Sequence, residues 1–231
     1  GREQYWHGLL GHDGRPLRRY KEAAQTAKEF QKLAKEIEGT VNRAEVAMIY
    51  DYECKWAAKI QPGFKNNNPQ AEMNRWYNAL FRAGIGMDTI KPSEDFSQYK
   101  VVFAPDLYIL RDETAAALEK FVKKGGILVT GYRTGVKNET NLCHDRTLPG
   151  LLSDTLGIEI QEYEGLADDM DYTVVGGKDL PGRYSAIQYS DWIIPKKAEA
   201  LASYDAWHMK SYAAATRNRF GKGLGYYVGT V

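Results

Sequence analysis

Cysteine is scarce in this 231-residue chain: Cys54 and Cys143 are the two present, far apart and in no C-x-x-C pair. That scarcity excludes a disulfide framework and a cysteine-rich zinc site, and it fits a reducing compartment, the cytoplasm. Charge of one sign is lacking too. With 31 basic and 30 acidic side chains the formal net charge is +1, whereas a nucleic-acid binder needs a basic surplus or stripe. No apolar run approaches the roughly 20 residues that cross a bilayer, and no signal-peptide pattern opens the chain. The glycine cradle of a dinucleotide site is also missing. Tyr50-Asp51-Tyr52-Glu53 follows the first candidate strand where G-x-G-x-x-G would stand, and Gly221-x-Gly223-x-Gly225 lies inside a hairpin pattern. No cofactor, nucleic acid or membrane partner is expected.

What is present is enough apolar material, 43% with 12% aromatics, for a packed core. Residues Leu17 to Ile37 follow helical spacing, with a narrow, alanine-rich stripe suited to lying against a large surface. From Ala44 the rhythm becomes strand and helix in alternation. Glu45–Tyr50, Met87–Ile90, Lys100–Pro105 and Ile127–Thr130 read as strands. Pro69 seats one helix, with Met73, Trp76, Tyr77, Leu80 and Phe81 on its apolar side, and Asp112 caps another. Cys54 to Asn68 reads as a long irregular connection. After a short helix at Leu151–Leu156, stopped by Gly157, the pattern turns to strands. These are Ile158–Tyr163, Tyr184–Ile194, Ala200–Tyr204 and a hairpin of Ala213–Phe220 with Leu224–Val228. The expected fold is a doubly wound, mostly parallel α/β sheet, flavodoxin-like, with C-terminal hairpins and an N-terminal helical appendage.

The stretch Gly131-Tyr132-Arg133-Thr134-Gly135 follows the fourth strand directly. Glycines two residues either side of an apex usually present a nucleophile, and the carboxyl end of a sheet strand is where functional groups gather. Arg133 occupies the apex. A guanidinium stays protonated and attacks nothing, so the residue suits a bracing role or the clasp of a carboxylate. The arrangement is similar to the class I glutamine amidotransferase fold, in which cysteine holds this apex. With arginine here and Cys143 well past the turn, that activity is not implied. An amidotransferase-like hydrolase or a small-molecule binding domain with a non-standard site is the alternative reading.

Four histidines and the acidic run Asp168-Asp169-Met170-Asp171 complete the inventory. His7 and His12 lack the spacing of a zinc site, and the run lacks the alternation of a calcium loop, so no metal is expected. Trp56, Trp76, Trp192 and Trp207 are read as core or interface in preference to a sugar platform.

Three stretches together carry a resemblance. Glu3-Gln4-Tyr5-Trp6-His7-Gly8 with Gly11-His12-Asp13-Gly14 resembles the end of the barrel in glycoside hydrolase family 42 β-galactosidases. Gly131 to Asn141 resembles the R-(S/T)-G-x-K-(D/N)-E-x-N stretch of their middle, trimerisation domain. Thr216 to Gly223 followed by Tyr226-Tyr227-Val228-Gly229-Thr230 resembles that domain's closing hairpin. The resemblance implies that residues 1–38 are the last loop and helix of a (β/α)8 barrel and 40–231 a trimerisation domain. On it, the chain is a cut-out of a longer homotrimeric enzyme that hydrolyses terminal β-galactosides with retention, using two glutamates roughly 5 Å apart. Both precede Gly1 in the family, so no catalytic residue is expected in this chain. Galactoside binding would belong to the full-length enzyme alone, where Glu3 (or Gln4) and His7 match the residues that grip the sugar. Arg133, Lys137, Asn138, Glu139 and Asn141 are the structural or interface candidates, expected to form one polar cluster at the elbow.

Overall fold

The structure, a computed structural model, describes residues 8–41 and 43–231. It divides into two compact units, Gly1–Arg43 and Ala44–Val231. In the first, helix α1 (Arg18–Ile37) matches the predicted span. None of its residues is buried, and Leu17, Tyr20, Phe30, Leu33 and Ile37 remain exposed.

The second unit is built on one sheet of strands β1 (Val46–Ile49), β2 (Met87–Ile90), β3 (Val101–Ala104), β4 (Ile127–Gly131), β5 (Ile158–Gly165), β6 (Tyr172–Gly176), β7 (Arg183–Ala186), β8 (Tyr189–Pro195), β9 (Glu199–Tyr204), β10 (Ala213–Phe220) and β11 (Gly223–Val228). The strand order is β2-β1-β3-β4-β11-β10-β9-β6-β7, with β8 branching onto β10 and β5. Strands β2, β1, β3, β4 and β11 run parallel. From β11 through β10, β9, β6 and β7 the pairing is antiparallel. The short apolar runs Val-Ala-Met-Ile and Val-Val-Phe-Ala become central strands because helices flank them, the usual setting of a parallel sheet.

Helices α2 (Tyr52–Ile60), α3 (Pro69–Arg82), α4 (Asp112–Lys123) and α5 (Ser153–Leu156) complete the unit. Asn68 caps α3 by accepting from Ala71 N at 3.1 Å, and Pro69 supplies the preset first turn. The main core lies where α4 and α5 meet the sheet. Leu118, Leu128, Leu152, Leu156 and Tyr227 are all fully buried there, each aliphatic chain contributing roughly 1.5–3 kcal/mol of transfer free energy.

Four expectations need correction. Cys54–Asn68 is not wholly irregular, because α2 occupies its first half; its packing face is the small trio Cys54, Ala57 and Ala58, too slight to stand out as a stripe. Arg111, not Asp112, is the N-cap of α4, and Asp112 opens its first turn. Tyr184–Ile194 is two strands rather than one, and β6 precedes them. Finally, no helix follows β4 directly. The chain turns at residues 132–135 and runs on through isolated bridges of Lys137 with Ile109 and Cys143 until the 3-10 turn Gly150–Leu152.

Candidate functional site: the β4 elbow

The parallel strands bring three charged residues together at their carboxyl ends: Asp51 after β1, Asp106 after β3 and Arg133 after β4. Gly131 lets β4 turn there, since a Cβ on it would overlap the Pro105 carbonyl beside it. Arg133 then takes the left-handed conformation, φ 57°, which costs a residue with a side chain roughly 1–2 kcal/mol. The apex geometry is therefore that of a strained elbow, as the flanking glycines predict.

The guanidinium at this apex is used internally. It donates to the Pro62 carbonyl and, from Nη2, to the Tyr108 hydroxyl at 2.9 Å. Its carbon sits 4.6 Å from the Tyr108 ring centroid and 5.9 Å from that of Phe64, within cation–π range. Tyr132 packs inward with Phe64 and Tyr189, and Thr134 turns its hydroxyl back onto the Gly131 carbonyl at 2.6 Å.

The backbone of Arg133 has a partner of its own. Its N–H points at Asp191 Oδ2, 3.3 Å away on β8, a buried carboxylate that also accepts from the hydroxyls of Tyr227 at 2.7 Å and Tyr189 at 3.1 Å. Burial pushes the Asp191 carboxyl up to about 6, against the pull of those three donors. Asp106 rises further, to about 7. Burial leads, Arg133 opposes it, and the neighbouring carboxylates of Asp51 and Glu72 add to the rise.

The remaining candidates divide. Lys137 is buried, donates from Nζ to Gln61 Oε1 and the Asn141 carbonyl, both at 3.0 Å, and shares the Tyr108 ring with Arg133. Asn138 organises the following loop, its Oδ1 accepting from Thr140 N, Thr140 Oγ1 and Leu142 N. Asn141 adopts φ 63°, and its Oδ1 is buried with no protein donor. Glu139 is exposed. So Arg133 and Lys137 come together through Tyr108, Lys137 also holds the carbonyl of Asn141 in the turn that Asn138 organises, and Glu139 faces solvent outside the group. Glu3, Gln4 and His7 lie outside the described residues. Of the tryptophans read as core or interface, Trp56 and Trp207 are exposed, the latter at 88%.

Sequence reasoning missed Tyr108, Phe64, Tyr189, Asp106 and Asp191, which complete the site. They come from three separate stretches, and only Pro62-Gly63, just before Phe64, carried a local signal, that of a turn.

A covalent role for a displaced thiol finds little support. Cys54 is buried, accepting from Ile109 N at 3.2 Å, and burial beside Asp106 and Asp51 pushes its thiol well above the ordinary range, so it stays protonated. Cys143 is exposed, and the ring of its neighbour His144 is engaged through Nε2 with the Leu110 carbonyl at 3.2 Å.

Comparison with known proteins identifies the family. The family described as the beta-galactosidase trimerisation domain matches residues 44–231. The chain belongs to that family. The β-galactosidase BgaA of Clostridium cellulovorans is 36% identical over 232 residues, covering 100% of this chain and 35% of that protein. Among solved structures, a β-galactosidase from Bacillus circulans sp. alkalophilus superposes with a TM-score of 0.89 at 35% identity, over 98% of this chain and 34% of the other. The enzyme of the Antarctic haloarchaeon Halorubrum lacusprofundi gives 0.85 at 32% identity, over 100% and 34%. The chain thus spans about a third of the relatives it matches, and this trimerisation domain corresponds to one part of those proteins.

Proposed function

We propose that this chain is the association module of a retaining β-galactosidase, with residues 1–38 the closing loop and helix of a catalytic barrel and 40–231 the trimerisation domain. The observation that carries the reading is Arg133. A class I glutamine amidotransferase-like scaffold would offer a nucleophile at that apex, whereas here the apex cation is bound by Pro62 and Tyr108 of the same chain. The turn holds the loop after α2 against the sheet. Hydrolysis of terminal β-galactosides belongs to the full-length cytoplasmic enzyme, whose two glutamates lie in the barrel, and Glu3 and His7 contact the sugar there. Self-association is what the domain itself contributes.

The purified chain should release no nitrophenol from a chromogenic β-galactoside and no ammonia from glutamine, while light scattering reports a mass above the 26.1 kDa monomer. Turnover traced to a side chain of this polypeptide, or a strictly monomeric chain at high concentration, overturns the reading.

A further inference from the structure

Two groups of exposed apolar side chains in the second unit involve the neighbourhood of α3. The first runs along α2 and α3. Tyr52, Trp56 and Ile60 recur every fourth residue of α2 and so share one face, at 57%, 57% and 77% exposure. Tyr77 and Phe81 of α3 repeat the spacing, the latter 67% exposed. The rings form two contacting groups that border one recess. Trp56 lies 5.9 Å from Tyr52 and Tyr52 5.0 Å from Tyr50; Tyr50 and Tyr77 line one recess, and Tyr77 stacks on Phe81 at 5.9 Å. An aromatic side chain carries roughly 150–250 Å², so this ribbon presents several hundred Å² of apolar surface, the scale at which a patch marks an interface.

The second face is concave. A cavity of about 460 Å³ opens between α3 and the β6–β7 hairpin. Small side chains such as Ala202, Ala214 and Val228 form its walls, and exposed Leu180, Tyr184 and Ile187 its rim.

We propose that these two faces are the two halves of the self-contact, the aromatic ribbon of one copy entering the cavity of the next. The inference rests on the association reading above and names its surface. A threefold ring joins unlike patches head to tail, and this unit carries two unlike apolar faces, a ribbon of exposed rings and a cavity. A sugar is the poorer occupant of the ribbon, because the polar groups beside the rings are committed to one another. Tyr50 Oη donates to Gln70 Oε1 at 3.1 Å, Lys55 Nζ donates to Tyr50 Oη at 3.0 Å and to Gln70 Oε1 at 3.2 Å, and Gln70 Nε2 donates to Asn74 Oδ1 at 3.1 Å.

Sedimentation velocity over a concentration series tests it. One variant combines Trp56→Glu with Phe81→Glu, and a second combines Tyr184→Glu with Ile187→Glu. Each alone should be monomeric, with the association midpoint raised at least 100-fold, and each should keep the circular dichroism of the parent chain. Trp56→Ala with Phe81→Ala, which buries no charge, should shift the midpoint the same way by at least 10-fold. An equimolar mixture of the two glutamate variants should form dimers and stop there, since one intact contact remains and both outer ends are blocked. Wild-type assembly by folded variants overturns the assignment and leaves the association reading standing, as does a mixture that stays monomeric. A wild-type chain that never associates overturns both.

Discussion

The β4 elbow and the α2–α3 face treat their side chains in opposite ways. At the elbow a permanent cation sits in the most conspicuous position of the sheet, yet its donors are taken up by Pro62 and Tyr108 and its plane by aromatic rings. On the α2–α3 face, uncharged rings with no chemistry of their own remain exposed. Satisfied polar groups mark a place where the chain holds itself together, and unsatisfied apolar groups mark a place that another surface must complete. A site that looks catalytic by position is thus structural by its partners, and the surface without reactive groups is the one that needs company.

The strongest way to break this contrast is to evict the cation. Gly63 follows the carbonyl that Arg133 grips, has φ 78°, and a Cβ there would fall on the Arg133 guanidinium. Gly63→Val imposes both a clash and a left-handed β-branched residue. We expect a loss of about 3–5 kcal/mol in urea denaturation. An unchanged midpoint would mean that the loop after α2 is not pinned by the elbow.

Much of this architecture was legible in the residues. Apolar runs marked β1, β3 and β4, Asn68-Pro69 announced α3, and Gly157, in the left-handed conformation, ended α5. Helix α2 escaped because its buried face is small and its exposed face aromatic, which inverts the usual amphipathic pattern. Strand β6 follows the acidic loop and offers little more than Val174-Val175. At the elbow the apex was legible and its partners were not. Arg133 meets Tyr108 25 residues away and Asp191 58 away, and no local pattern records such pairings. The aromatic ribbon was visible as tryptophan and tyrosine content, and Trp56 reads as core or interface, but no local pattern says which of the two.

A smaller effect should appear with pH. Asp106 and Asp191 have folded values of about 7 and about 6, above the 3.8 of a free carboxyl. The folded state therefore holds more protons than the unfolded state between roughly pH 4 and 7. Their contribution is complete below about pH 4 and is lost as pH rises through the folded values. The second unit should be less stable at pH 8 than at pH 5, by up to about 4 kcal/mol. Asp106→Asn should flatten the upper part of that slope. A midpoint that rises over the same interval would show that these carboxylates are better solvated than their surroundings allow.

The finest distinction separates what Arg133 does from where it sits. Arg133→Ala removes the bonds to Pro62 and Tyr108 and the ring contacts, a loss of about 2–3 kcal/mol for charge-assisted, half-buried interactions. It keeps a Cβ at φ 57°, however, and so keeps the backbone strain. Arg133→Gly loses the same contacts and relieves that strain. Glycine should therefore be the milder substitution by about 1 kcal/mol, although it is ordinarily the harsher one because it adds freedom to the unfolded chain. Paired thermal melts decide the matter. If alanine proves the milder change, the turn follows its sequence without strain, and the apex is held by the side chain alone.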